Sequence, residues 1–329
     1  MCPVRRSVMQ DKQRKEKSIV VVGPGRMGLG IALAFALARV PVKIVDVKER
    51  SRKEREQLIA RAREEMGSTV RLLGKLKYTA LRPAAVLSSL TFYSGITREN
   101  VAGEYIFEAL PERPELKIQL FRDISPLLRS TAIVASATST IDIKTMARGL
   151  ANPERLLITH WLNPAFIIPL VEVARANTTA DTAVKKMTTL LKSIGKVPVV
   201  LRDSPGFIIP RIQAGAMNEA VRILEEGIAS AEDIDVAIRY GFGFRLSVLG
   251  LLEFIDLGGL DILYYADRFL YTAYRSARFK APKLIEEKME KGETGPRAGK
   301  GIYDYHGRDT KSLFENKYRD FIKVLKAIR

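Results

Sequence analysis

The chain has one cysteine and two histidines among its 329 residues. A single thiol, Cys2, excludes an internal disulfide and a cysteine-based zinc site, and it fits a reducing compartment. No uninterrupted apolar run approaches the roughly 18 residues that a membrane-spanning helix needs. Residues 1–17 are instead charged, with six basic residues against Asp11 and Glu16. That basic tail is expected to be disordered, and the protein to be cytoplasmic with no membrane partner. Internal repeats and low-complexity segments are missing too, so the length corresponds to two ordinary globular domains of roughly 150 residues each.

Negative charge is in short supply: 37 acidic residues face 54 basic ones, a net charge of +17. A body this basic can attract nucleic acid, an anionic surface or a small polyanion such as a dinucleotide or coenzyme A. The charges are dispersed through mixed-sign segments such as 48–65, and no basic run is interleaved with aromatics. That dispersion favours a solvated, salt-bridged surface over a nucleic-acid partner.

What is present is alternation. Ser18 to Val22 is a short apolar run ending in glycine, as a buried parallel strand should be; Leu29 to Ala38 reads as a helix and Val42 to Asp46 as the next strand. Further strands are expected at 90–93, 105–109, 132–136, 156–161, 170–174 and 197–201, with helical segments between several of them. This is the pattern of an α/β, Rossmann-type doubly wound parallel sheet. After Asp203 the apolar residues recur at helical spacing, as in Ile212, Ala216, Ala220, Ile223 and Leu224. The expected division is therefore a nucleotide-binding domain over 18–203 and an all-helical domain over 204–329.

Gly23-Pro24-Gly25-Arg26-Met27-Gly28 matches G-x-G-x-x-G, and it follows a strand and opens a helix, the context the motif requires. Glycine permits the tight turn, the approach of backbone to a pyrophosphate and the close packing of helix on strand, while the helix N-terminus offers free N–H groups. Asp46 stands at the end of the second strand, where a carboxylate accepts hydrogen bonds from the adenosine ribose and disfavours a 2′-phosphate. Lys48 and Arg50 nearby leave room for NADP, but the expected cofactor is NAD.

His160, in Thr159-His160-Trp161-Leu162-Asn163-Pro164, is followed twelve residues on by Glu172 in Leu170-Val171-Glu172-Val173. An isolated carboxylate in a second strand-like run is the layout of a general base and its orienting partner. His306, near the C-terminus, reads as structural or exposed.

With these segments and Ser204-Pro205-Gly206-Phe207 in hand, the chain resembles the L-3-hydroxyacyl-CoA dehydrogenase family, which includes relatives acting on free hydroxy acids such as gulonate and carnitine. The likeness runs from Ser18 to about Tyr305 and takes in Glu108-Ala109-Leu110-Pro111-Glu112, Ser136-Ala137-Thr138-Ser139-Thr140, Gly250 to Asp256 and Gly299-Lys300-Gly301-Ile302-Tyr303. It implies that His160 is the acid-base residue, Glu172 its partner and Ser139 a hydroxyl that bonds the substrate oxygen. It also implies that Glu112 and Lys117 lie along the cofactor cleft, that Asn163 contacts substrate, and that Lys75 and Lys77, with Arg71, hold coenzyme A phosphates. A homodimer and a place in fatty-acid metabolism follow from the same likeness.

Two positions depart from the acyl-CoA pattern: Pro210 and Ala137 stand where those relatives carry asparagine. Proline offers no side-chain hydrogen bond and is expected to bend or delay the helix there. The expected function is NAD-dependent interconversion of a 3-hydroxyacyl-CoA, such as 3-hydroxybutyryl-CoA, and its 3-oxo form. A dehydrogenase of a free hydroxy acid is the alternative, and a non-catalytic dinucleotide-binding protein is an alternative of another class.

Overall fold

The computed structural model describes residues 18–328, so the basic tail at 1–17 lies outside the described residues. Eight strands form one sheet: β1 (Ile19–Val22), β2 (Val42–Asp46), β3 (Leu90–Ser94), β4 (Tyr105–Glu108), β5 (Ile133–Ser136), β6 (Leu156–Trp161), β7 (Leu170–Arg175) and β8 (Val197–Arg202). Their order is β3-β2-β1-β4-β5-β6-β7-β8, so the chain reverses its direction of winding between β1 and β4. Open α/β sheets bind ligands at the carboxyl ends of strands beside such a reversal.

Both faces of the sheet are covered over β1, β4, β5 and β6, and that is why these strands are largely apolar runs rather than alternating ones. Most residues of the edge strands β3 and β8 are not buried. Ile19 and Val21 enter one core with Phe35, Phe107 and Trp161; Val20 and Val22 enter the other with Ile106, Phe121, Val134 and Ile158. In the first core the ring centroids of Phe35 and Phe107 are 5.3 Å apart and those of Phe107 and Trp161 6.1 Å, the latter pair edge-on. Helices α1 (Arg26–Leu37), α2 (Arg52–Lys75), α3 (Pro114–Ile124) and α4 (Asp181–Ser193) supply the flanks. Helix α2 starts with a complete capping box, in which Ser51 and Glu54 each satisfy the other's backbone N–H.

The sheet is parallel except at one pair. β6 and β7 run antiparallel, with His160 directly opposite Glu172. The connection 162–169 is too short for a parallel crossover, which needs about a dozen residues or more, so the chain folds back as a hairpin.

By its internal contacts the chain divides into one unit ending at Gly215 and another from Ala216 onward, so residues 204–215 group with the sheet unit. The reason is local: Phe207 is buried in a core of the sheet unit, and the backbone N–H groups of Ile208 and Ile209 donate to Glu172. Helix α5 (Ile209–Glu225) starts there without delay, because Pro210 occupies its second position, where a missing N–H breaks no helical hydrogen bond.

The second unit is helical, with α6 (Leu251–Gly258), α7 (Leu260–Tyr274) and α8 (Thr310–Ile328) among its elements. Its fixed point is Asp256, 1% exposed, whose carboxylate accepts from the N–H groups of Ile302 and Tyr303, each at 2.9 Å, and from the Tyr305 hydroxyl at 3.1 Å. Gly301 lies so close that a Cβ there would sit 2.4 Å from Asp256 Oδ1, which is why the 299–303 turn needs glycine. No helix among the described residues is long and apolar enough to cross a membrane.

Candidate active site

The carboxyl ends of β1, β4 and β5 converge on a cavity of about 590 Å³. One end is lined by Gly23, Gly25, Arg26, Met27 and Asp46, the other by Glu112, Ala137 and Ser139. Gly23 adopts a positive φ of 105°, and a Cβ on it would sit 2.7 Å from the Ala109 carbonyl oxygen. On Gly28 a Cβ would fall 1.9 Å from the Gly23 carbonyl oxygen, so only glycine lets α1 pack this closely on the loop. Gly25 has no atom within 4 Å of such a Cβ and caps α1 without a side-chain hydrogen bond. The free N–H groups of the first helical turn therefore face open space, which fits a pyrophosphate.

Asp46 is buried at the end of β2, with Oδ1 accepting from the Lys48 N–H at 3.2 Å and Oδ2 from Arg50 Nε at 2.6 Å. Each oxygen keeps acceptor capacity for the hydroxyls of a ribose.

At the other end Glu112 ties down the loop that carries Ser139. Its Oε1 accepts from Thr138 Oγ1 at 2.5 Å, from the N–H groups of Ser139 and Thr140 at 2.9 and 3.0 Å, and from Thr140 Oγ1 at 2.9 Å. Burial pushes the Glu112 carboxyl up, but the hydrogen bonds from Thr138 and Thr140, the Lys117 charge and the Ser139 N–H outweigh it and hold it below the usual carboxylate range. The Ser139 hydroxyl is only 3.4 Å from that same oxygen, a marginal contact that leaves it free to reorient.

Lys117 lies beneath this end and does not line the cavity. Its side chain is 1% exposed and its ammonium bridges Glu108 at 2.8 and 3.0 Å, the Leu110 carbonyl at 3.3 Å and Glu112 at 3.4 Å. Ser136 donates a short hydrogen bond to Glu108. A continuous polar chain thus runs from the sheet interior through Glu108, Lys117 and Glu112 to the Ser139 loop. Glu108, Ser136, Thr138 and Thr140 had no role in the sequence reading; the one signal for them was a charge closing the apolar run Tyr105 to Glu108.

The hairpin supplies the second centre. His160 Nδ1 lies 2.7 Å from Glu172 Oε2, and Glu172 Oε1 accepts from the N–H groups of Ile208 and Ile209 at 2.9 and 3.0 Å. Three donors fix the carboxylate, and the carboxylate orients the imidazole so that Nδ1 donates and Nε2 is the open acceptor. The Phe207 ring packs against the imidazole at 5.4 Å between centroids. Nε2 has no hydrogen-bond partner among the described residues.

The loop 162–169 that follows is held from three directions. Lys196, buried, donates to the carbonyls of Ala165 and Ile168 at 2.6 and 2.7 Å; the Tyr78 hydroxyl donates to the Phe166 carbonyl at 3.1 Å; Gly30 packs on Ala165. Burial lowers the Lys196 ammonium to about 8. Asn163 is exposed in this loop and joined to Pro164 by a cis peptide bond. Asn163, Lys75 and Lys77 make no side-chain hydrogen bond among the described residues and none lines the cavity. Arg71 is engaged by Glu64 and Ser68 at 2.9 and 2.6 Å.

A sheet that reverses between β1 and β4, with an open glycine turn at the first helix and a carboxylate closing the second strand, defines a dinucleotide-binding α/β protein. The chain belongs to the 3-hydroxyacyl-CoA dehydrogenase family: residues 18–204 match the family's NAD binding domain and residues 206–305 its C-terminal domain. It is therefore an NAD-dependent 3-hydroxy dehydrogenase. A 5-formyl-3-hydroxy-2-methylpyridine 4-carboxylate 5-dehydrogenase of Mesorhizobium japonicum is 32% identical over 75% of this chain and 80% of that relative. A 3-hydroxybutyryl-CoA dehydrogenase of Clostridioides difficile is 31% identical over 72% of this chain and 83% of that relative. The crystal structure of a 3-hydroxyacyl-CoA dehydrogenase from Archaeoglobus fulgidus superposes with a TM-score of 0.75 at 30% identity, covering 94% of this chain and 99% of the other.

Proposed function

We propose that this protein interconverts a 3-hydroxyacyl-CoA, such as 3-hydroxybutyryl-CoA, and its 3-oxo form, with His160 as the acid-base residue. The observation that carries the reading is the β6–β7 hairpin, where the 2.7 Å contact between His160 and Glu172 leaves Nε2 as a free acceptor. The cleft would hold NAD, which would supply the hydride acceptor for the carbon that bears the hydroxyl. Gly23, Gly25, Arg26, Met27 and Gly28 would hold the pyrophosphate, Asp46 the adenosine ribose, and Glu112, supported by Lys117, the nicotinamide-side ribose. Ser139 Oγ donates to the substrate oxygen while His160 Nε2 takes the hydroxyl proton; Glu172 stabilises the imidazolium that results. In the reverse direction His160 returns the proton.

Lys75 and Lys77, exposed and uncommitted, are available to coenzyme A phosphates, and Asn163 to the acyl portion. The free-acid reading has its own support, since Pro210 and Ala137 replace asparagines and the Mesorhizobium japonicum relative is named for a pyridine carboxylate. The working form of the protein is a homodimer in the cytoplasm, serving fatty-acid oxidation or its reversal. Support for a second copy comes from exposed apolar stripes in the helical unit: Met217, Val221 and Leu224 on α5, and Ile262, Tyr265 and Phe269 on α7.

The deciding experiment follows NADH formation with 3-hydroxybutyryl-CoA, free 3-hydroxybutyrate, gulonate and carnitine. Turnover of the CoA ester at the highest kcat/KM is expected; a higher value with any free acid transfers the assignment to that branch. His160→Ala should lower kcat by roughly 10²–10⁴ while NADH still binds. Equal kcat would remove His160 from the mechanism.

A further inference from the structure

We propose that the cofactor cleft accepts NADP(H) as well as NAD(H), and that Arg50 decides between them. The proposal rests on the NAD assignment of the same cleft and concerns the adenosine end of it.

A carboxylate at the end of the second strand normally excludes a 2′-phosphate by charge. Here that carboxylate is already bound. Arg50 Nε holds Asp46 Oδ2 at 2.6 Å with both side chains largely shielded, so the pair presents little net charge to a ligand. The guanidinium uses only Nε in this contact, and its two terminal nitrogens have no hydrogen-bond partner among the described residues. Arg50 lines both the main cavity and a hollow of about 310 Å³ that shares Pro24 and Leu58 with it. Arg26 and Lys48 line the main cavity as well and form no ion pair among the described residues. Of the two acids lining the hollow, Glu54 is committed to Ser51, whose N–H and hydroxyl each approach its Oε2 at 2.8 Å, and Glu65 shares the lining with Arg61. With Arg50 spent on Asp46, Arg26 and Lys48 remain as two uncommitted cations at this end. Glu112 at the other end is engaged by Lys117 and Thr138, so the balance is the reverse of the one that rejects a phosphate. A guanidinium with two free nitrogens also matches phosphate in geometry.

The test measures dissociation constants of NADH and NADPH, by the fluorescence of the reduced nicotinamide, on the full chain and its Arg50→Ala and Arg50→Gln variants. Wild type should bind the two within about thirtyfold of each other, and both variants should raise the NADPH-to-NADH ratio of Kd by at least about tenfold, the equivalent of about 1.4 kcal/mol. A wider gap in the wild type, or a smaller rise in the variants, overturns the proposal. NADPH affinity should also fall more steeply with added salt than NADH affinity, because the extra phosphate adds ionic contacts that salt screens; equal slopes count against it. Failure of NADH itself to bind would overturn the cofactor assignment and this proposal together, whereas tight NADH binding with the wrong ratio overturns the proposal alone.

Discussion

The two units of this chain solve the burial problem in opposite ways. In the sheet unit β1, β4, β5 and β6 are fully buried, and two cores account for nearly all their side chains. Among the described residues of the helical unit, the buried large apolar side chains are Leu249, Leu260, Ile285 and Tyr305, whereas Phe269 is 73% exposed and Ile262 65%. Burying one such side chain contributes about 1.5–3 kcal/mol, so the first unit carries its stabilisation internally and the second leaves much of its own unused. The difference teaches where each is vulnerable: the sheet unit at its buried polar groups, the helical unit at its surface.

The strongest break in the sheet unit is Lys117→Met. It leaves Glu108 as a buried carboxylate whose remaining donors are the Leu110 N–H and the Ser136 hydroxyl, and removing one partner of such a pair costs about 3–5 kcal/mol. Chemical denaturation should show a loss of that size, with the cofactor end of the cleft loosened because Glu112 loses its ammonium neighbour. A loss under about 1 kcal/mol would mean that the chain from Glu108 to Ser139 is ornamental. In the helical unit the matching change is Phe269→Asp. It should cost the monomer little, since that ring is already in water, but raise the dissociation constant of the proposed dimer by roughly 10²-fold, or nearly 3 kcal/mol. Sedimentation of the wild type as a monomer at micromolar concentration would undo the premise.

The same contrast explains what the sequence disclosed. All eight strands are legible to within a residue or so: β1, β4, β5 and β6 because strands buried on both faces are largely apolar, as Ile19 to Val22 is. The edge strands β3 and β8 are legible by their β-branched and aromatic residues, although most of their residues are not buried. The glycines at 23 and 28 are legible because the backbone leaves no room for a Cβ there, and His160 because histidine is scarce, with Glu172 opposite it across the hairpin. The antiparallel turn at β6–β7 was not, since apolar runs carry no direction; only the brevity of 162–169 hinted at it. Lys117 was assigned to the cleft by likeness, but its burial depends on Glu108, nine residues away on another element, and that pairing has no local signature. The bond between Arg50 and Asp46 is similar: charge and proximity were visible, the geometry was not. In the helical unit periodicity revealed the helices yet could not tell an interior face from one left open, because both look amphipathic.

Lys196 offers the finest test of internal against external stabilisation. Burial holds its ammonium at about 8, below the ordinary lysine value. The folded state therefore binds fewer protons than the unfolded state between about pH 8 and pH 10.4, and stability must rise with pH across that window. Below pH 8 the burial cost is present in full. Deprotonation forfeits no hydrogen bond, because a neutral amine keeps two N–H donors and Lys196 faces two carbonyls, those of Ala165 and Ile168. Lys196→Met cannot titrate, so the stability of wild type relative to this variant should grow by about 1 kcal/mol per pH unit through the window. Parallel pH curves for the two proteins would show that burial does not lower the Lys196 ammonium.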